Sequence, residues 1–132
     1  TSKEIIRLGD IGAATIVKIA TNLISASTVQ ALSEGMAIAK AHGVAPETFI
    51  PAVLSNACGS PLAAMKLPTM AGGNYDTHFS LDNMRKDSVF AIQLAKQAGL
   101  TTPGIEATSA AMTALCENGC ADLDYSALYK QF

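Results

Sequence analysis

The sequence predicts an all-α protein in which one long central helix is packed by four to six shorter helices. Residues 12–41 carry apolar groups on every side of a helical wheel, and Gly43 supplies a stop directly after them. Almost half of the 132 residues are apolar but only 5% are aromatic, a composition that suits closely packed helices. The strand-like run at residues 5–8 has no second run nearby to pair with.

The predicted first helix, residues 12–41, is long for a globular protein and has little side-chain bulk. Small residues let neighbouring helices approach closely, as a central helix requires. They are Ala13, Ala14, Ala20, Ser25, Ala26, Ser27, Ala31, Ser33 and Gly35. Charges return only at Glu34 and Lys40, so we expect the far end of this helix to emerge into solvent.

Three prolines suit the first position of a helix, where a missing N–H costs nothing. They predict shorter helices over residues 46–55, 61–66 and 103–118. Residues 67–78 contain Pro68 and two adjacent glycines, which predict a long loop. A loop of that length favours a functional role.

Two polar side chains suit helix N-caps. Ser80 predicts a helix over residues 81–98 that Gly99 ends, and Asp124 predicts a last short helix over residues 125–131. The chain therefore divides into a short N-terminal stretch, residues 1–10, and one helical domain.

The charge balance and the cysteines exclude several classes of function. A net charge of −2 gives no broad attraction to nucleic acid or to an anionic membrane, and polar residues interrupt the apolar run 11–33 too often for a membrane span. Cys58, Cys116 and Cys120 form no CxxC pair, and no histidines stand at ligand spacing, so we expect buried thiols and no metal site. Without a visible secretory signal, we expect a cytoplasmic protein.

Lys18 is the one charged residue between Ile11 and Ser33. An apolar helix is usually buried, and a lone ammonium is costly to bury unless something pairs with it. Asn22 lies one turn further on, so its amide can reach the same side of the helix. A buried lysine beside an amide suits proton transfer to or from an oxygen atom. The spacing equally allows a lysine that extends its ammonium into a gap between helices.

A second group of candidate residues follows the predicted loop. Phe79, Asn83, Lys86 and Asp87 share one side of the helix that Ser80 begins. On the pattern alone, a solvated charge pair on an ordinary helix explains them best.

These residues together resemble a known family. The motifs are Leu8-Gly-Asp-Ile-Gly12-x5-Lys18-x3-Asn22, then Glu34, Lys86-Asp87 and Asp124-x-Ser126-Ala127-Leu128. They resemble the β-hydroxyacid dehydrogenases, which include 3-hydroxyisobutyrate dehydrogenase, tartronate semialdehyde reductase and glyoxylate/succinic semialdehyde reductases. The resemblance covers almost the whole chain and is to the C-terminal helical domain, which is like that of 6-phosphogluconate dehydrogenase. The latter enzyme's own domain fits less well, because it is longer and has a histidine where this chain has Thr21.

The resemblance implies a role for each matching residue. Lys18 would be the catalytic general acid or base, and Asn22, Phe79 and Asp87 would bind substrate. Lys86 would face the nicotinamide end of NAD or NADP. The reaction implied is hydride transfer between that cofactor and a small hydroxyacid or semialdehyde. A homodimer or larger homo-oligomer is implied as well.

The sequence departs from the family in having no Gly-x-Gly-x-x-Gly turn for the cofactor's pyrophosphate. We therefore interpret residues 1–10 as the remnant of a missing N-terminal Rossmann domain and residues 11–132 as the helical substrate and oligomerisation domain. On this interpretation the isolated chain is inactive. The alternative is a non-catalytic helical dimerisation module.

Overall fold

The computed structural model describes residues 11–132, which form seven consecutive helical segments. They are α1 (Ile11–Ala41), α2 (Pro46–Ser55), α3 (Pro61–Gly72), α4 (Leu81–Gln97), α5 (Pro103–Leu115), a π-helical turn (Cys116–Cys120) and a 3₁₀ helix (Tyr125–Gln131). Within this range the only β-type pairing is one isolated antiparallel bridge between Ser80 and Asp124. The predicted all-α architecture is confirmed, and the predicted Rossmann remnant, residues 1–10, lies outside the described residues.

The core surrounds the middle and the C-terminal half of α1. Every other helix except the π-helical turn packs against α1, and α4 and the 3₁₀ helix do so most extensively. The buried positions Ala26, Val29, Ser33 and Met36 recur every three or four residues and so form one stripe along α1. The fully buried large side chains that surround this stripe are Leu67, Leu81, Met112 and Leu128.

Local capping signals fix most of the helix ends at the predicted places. The Ser80 hydroxyl accepts a hydrogen bond from Asn83 N at 3.2 Å, as an N-cap should. Gly43 and Gly99 follow α1 and α4 with φ of +81° and +74°, a left-handed conformation that favours glycine and ends a helix.

The third helix is longer than the sequence predicted. It continues past Pro68 to Gly72, so the expected loop at residues 67–78 shrinks to a connecting segment, residues 73–80. A proline inside a helix costs about 3 kcal/mol. Burial of Leu67 and Met70, which are 0% and 2% exposed, offsets that cost, since each contributes about 1.5–3 kcal/mol.

The end of α5 also differs from the prediction. Regular α-helix stops at Leu115 rather than at residue 118, because the chain widens into the π-helical turn that Gly119 breaks with φ of +90°. The cysteines depart from the expectation as well. Cys120 is buried, Cys116 is half-buried and Cys58 is exposed.

Candidate functional site

Lys18 lies on an exposed part of α1, so the expectation that it is buried was wrong. The first turns of α1 pack on one side only, where Ile19 is buried. On another side Val17 and Ile24 are 37% and 61% exposed. Within residues 11–132, no carboxylate oxygen lies within 4 Å of the Lys18 ammonium.

One turn along α1, Asn22 is joined directly to α4. Its amide nitrogen donates a hydrogen bond of 2.7 Å to Asp87 Oδ2, and both side chains are half-buried. Since the nitrogen donates to Asp87, the amide oxygen of Asn22 is the atom left to accept a hydrogen bond from an ammonium or a hydroxyl group. The structure thus brings two of the predicted site residues together beside the turn that carries Lys18.

Lys86 takes part in a solvated ion pair with Asp82, not with its neighbour Asp87. Its Nζ lies 2.9 Å from Asp82 Oδ2, and its side chain is 62% exposed. Asp82 also accepts a hydrogen bond of 2.7 Å from Arg85. Hydrogen bonds from Lys86 and Arg85 lower the pKa of the Asp82 carboxyl. The ammonium of Lys86 therefore stands at the surface of α4.

Phe79 is held by the 3₁₀ helix, two turns before Asp87. Its ring meets the ring of Tyr125 edge-on, with centroids 6.3 Å apart. Its carbonyl accepts a hydrogen bond of 3.0 Å from Tyr125 N, and its own amide donates to Asp124 Oδ2 at 3.2 Å. The backbone at Phe79 is thus fixed on both sides of the residue.

The sequence analysis missed a buried ion pair between Lys66 and Asp124. Lys66 Nζ lies 2.9 and 3.1 Å from the two carboxylate oxygens, and the side chains are 4% and 0% exposed. The same ammonium lies 4.5 Å from the centroid of the Tyr125 ring. Lys66 stands inside an apolar run in the sequence, and Asp124 is there interpreted as a helix cap and as part of the family motif. Neither position indicates a partner 58 residues away.

Burial and the charges of this pair together shift the pKa values of Asp124 and Tyr125. Burial by itself would raise the pKa of Asp124, but hydrogen bonds from Lys66 and from the Ser126 and Phe79 amides lower it to about 2. Burial raises the pKa of Tyr125 to about 12, and the adjacent Asp124 carboxylate adds to that effect. Both groups therefore keep one protonation state across the neutral range.

Two concavities lie along α1, and Lys18 lines neither of them. One of about 580 Å³ lies at the far end of α1, where Lys40, Tyr129 and Phe132 contribute to its wall. A smaller one of about 130 Å³ lies between α1 and α4, lined by Ile16, Ile19 and Leu23 among others. The predicted closed cleft is therefore not completed by residues 11–132 alone.

The described residues lack the glycine turn that would bind the pyrophosphate of a dinucleotide. Its pyrophosphate needs a glycine turn that follows a strand and opens a helix. The glycines with positive φ in residues 11–132 instead follow helical segments or interrupt one: Gly43, Gly73, Gly99 and Gly119.

The described residues contain neither a group of metal ligands nor a membrane-spanning helix. No three His, Cys, Asp or Glu side chains of residues 11–132 are grouped as a metal ion would require. No helix in the described part of the chain is both long and apolar enough to cross a membrane.

Known proteins resemble this chain over most of its length. The family described as "NAD-binding of NADP-dependent 3-hydroxyisobutyrate dehydrogenase" matches residues 12–132. Glyoxylate/succinic semialdehyde reductase 2 of Arabidopsis thaliana, a chloroplastic protein, is 28% identical over 92% of this chain and 34% of its own length. Cytokine-like nuclear factor N-PAC of Anopheles gambiae is 27% identical over 97% of this chain and 23% of its own length.

A solved structure shows the same fold. The crystal structure of 3-hydroxyisobutyrate dehydrogenase from Salmonella typhimurium superposes with a TM-score of 0.93 at 24% identity, over 99% of this chain and 46% of that one. This chain therefore spans less than half the length of each of these proteins.

Proposed function

The chain belongs to the family of NADP-dependent 3-hydroxyisobutyrate dehydrogenases, and we propose that it is the helical, substrate-facing domain of an NAD(P)-dependent hydroxyacid dehydrogenase or semialdehyde reductase. The observation that carries this proposal is the hydrogen bond between Asn22 and Asp87. It joins α1 to α4 beside the turn that carries Lys18. Lys18 and Asn22 are one helical turn apart and so share one side of α1, where Asp87 contacts Asn22.

In the proposed reaction, Lys18 donates a proton to the carbonyl oxygen of a small acid as negative charge develops there. In the reverse direction the neutral amine takes the proton from the alcohol. Asn22 orients the alcohol's hydroxyl group or the Lys18 ammonium, which donate hydrogen bonds to its amide oxygen, while Asp87 fixes the amide by accepting a hydrogen bond from its N–H. The nicotinamide cofactor supplies or accepts the hydride.

The second part of the proposal concerns what covers Lys18. We propose that a Rossmann domain, of which residues 1–10 are the last part, binds most of the cofactor and packs on the exposed side of α1. The exposed apolar side chains Val17 and Ile24 support this, because burying apolar surface stabilises a domain contact. That contact would convert the open surface at Lys18 into a cleft. A homodimer or larger homo-oligomer remains part of the proposal.

The proposal is tested by measuring NADH and NADPH oxidation with glyoxylate and with succinic semialdehyde. Two proteins are compared: the isolated 132-residue chain, and the two-domain protein in which the proposed dinucleotide-binding domain precedes residue 1. We expect turnover from the two-domain protein only, since the isolated chain offers no complete cofactor site. Turnover by the isolated chain would contradict the domain assignment.

One observation favours a second candidate function, a non-catalytic helical dimerisation module. Lys18 is exposed and no described residue closes a cleft around it. A two-domain protein that is dimeric by analytical ultracentrifugation, yet turns over no hydroxyacid or semialdehyde with either cofactor, would establish this alternative.

A further inference from the structure

The connecting segment, residues 73–80, is attached along much of its length to the residues around Asp124. Backbone hydrogen bonds run from Asp124 N to Tyr75 O at 3.0 Å and from Tyr125 N to Phe79 O at 3.0 Å. The Thr77 hydroxyl donates to the carbonyl of Asp122. At the start of α4, Leu81 N donates to Leu123 O at 2.8 Å. The segment therefore lies alongside residues 122–125, to which these hydrogen bonds join it.

The carboxylate of Asp124 is the centre of this attachment. Its Oδ2 accepts hydrogen bonds from His78 N and Phe79 N, each at 3.2 Å. Its Oδ1 accepts from Ser126 N at 3.0 Å, and Lys66 Nζ reaches both oxygens. Three elements thus meet on one buried carboxylate: α3, the connecting segment and the 3₁₀ helix.

This arrangement exceeds what a helix cap needs. A cap requires one hydrogen bond to the first turn, and the bond from Ser126 N supplies it. The amides of His78 and Phe79 and the buried ammonium of Lys66 are additional donors, each of which restricts where the carboxylate can lie. Because its donors come from several directions, the carboxylate holds the backbone of Phe79 in one place.

We propose that Asp124 and Lys66 are positioning residues, which set the place of the Phe79 ring at the substrate surface and so determine how tightly substrate binds. The inference rests on the proposed function, in which Phe79 contacts substrate. Asp124 fixes the backbone of Phe79 directly, and Tyr125 fixes its ring from the edge. Lys66 acts through Asp124 by holding the carboxylate in place. Neither residue contacts Lys18 in the ion pairs and hydrogen bonds of the described residues.

The kinetic test uses Asp124→Asn in the two-domain protein with succinic semialdehyde as substrate. An asparagine keeps the shape but removes one acceptor oxygen, so we expect KM to rise about tenfold with little change in kcat. In a Phe79→Ala background the same change should alter KM far less, because the ring that Asp124 positions is gone. Equal effects in both backgrounds would overturn the proposal.

Val53→Ala serves as the control for general destabilisation. Val53 is buried in α2, away from the connecting segment, and its truncation leaves a small cavity. We expect it to lower the melting temperature while leaving KM unchanged. A rise in KM that merely follows the loss of stability in both variants would show that Asp124 has only a structural role.

If Asp124→Asn does not fold, the double variant Lys66→Met/Asp124→Leu replaces it. Apolar residues of similar volume often substitute for a buried ion pair without loss of stability. The amides of His78 and Phe79 still lose their acceptor, so we expect a raised KM in a folded protein. A folded double variant with the original KM would overturn the proposal.

Hydrogen exchange on the 132-residue chain separates this inference from the proposed function, since it needs no turnover. We expect the His78 and Phe79 amides to exchange at least about tenfold faster in Asp124→Asn, because their acceptor is altered. Unchanged exchange would overturn the positioning inference alone. If these amides exchange faster in Asp124→Asn but Phe79→Ala leaves KM unaltered, the positioning role stands and Phe79 does not contact substrate.

Discussion

Lys66 is buried and Lys18 is exposed, and this difference distinguishes a lysine that stabilises the fold from one that is free to act on a substrate. Lys66 is buried and its ammonium reaches both oxygens of Asp124. Lys18 is exposed and meets no carboxylate within residues 11–132. The apolar character of its own helix pointed to Lys18 as the buried one. Burial of an ammonium therefore follows the position of a carboxylate, not the apolarity of the surrounding sequence.

The energetics explain the contrast. Taking an ammonium out of water costs several kcal/mol unless a well-placed carboxylate and further hydrogen bonds compensate. Asp124 provides that compensation for Lys66. Lys18 has no such partner among the described residues, so the chain leaves it at the surface of α1. A lysine already bound to a carboxylate is a poor proton donor to a substrate, and an unbound one remains available.

The largest effect expected is on stability, from Lys66→Met. It leaves Asp124 buried without its cation, and breaking a buried pair in this way costs about 3–5 kcal/mol. Urea unfolding monitored by circular dichroism measures the change. Adding Asp124→Leu should recover much of the loss. If Lys66→Met were as stable as the unaltered chain, the ion pair would contribute nothing to the free energy of unfolding.

The corresponding change at the other lysine, Lys18→Met, should affect turnover instead. In the two-domain protein we expect kcat to fall at least about 100-fold, the scale of a lost general acid. The melting temperature should remain the same, because an exposed side chain is replaced. Near-normal turnover would show that Lys18 is not the general acid, and the two lysines would then differ in burial alone.

A smaller effect is expected from acid. The folded-state pKa of Asp124, about 2, lies below the ordinary value of 3.8, so its ionisation stabilises the folded state above about pH 4. That contribution, about 2 kcal/mol, is lost as the pH falls from about 4 to 2. Unfolding free energies measured across this range should decrease in the unaltered chain. The double variant Lys66→Met/Asp124→Leu should lack this part of the decrease.

The smallest effect is expected at the surface pair of α4, which serves as the reference for Lys66. Lys86→Met removes an ion pair of the same 2.9 Å length, but one whose lysine is largely exposed. Solvent screens such pairs, so we expect the urea midpoint to stay at its original value. A loss as large as that of Lys66→Met would mean that burial does not distinguish the two pairs.

Local features of the fold could be predicted from the sequence, and distant pairings could not. Ser80 and Gly99 mark the ends of α4 because capping depends on neighbouring residues alone. The continuation of α3 past Pro68 could not be predicted, since it depends on what buries Leu67 and Met70. At the candidate site, Asn22 and Asp87 were each identified, but their hydrogen bond spans 65 residues and leaves no mark in the sequence.

The distance along the chain between Lys66 and Asp124 has a consequence during translation. The ribosome has made α1, α2 and α3 long before it reaches the acidic residue that neutralises Lys66. Until then Lys66 lacks the carboxylate that compensates for burying its ammonium, so we expect α3 not to pack stably in its final place. The domain can therefore close only when residue 124 has emerged, and products that terminate earlier should be substrates for quality-control proteases.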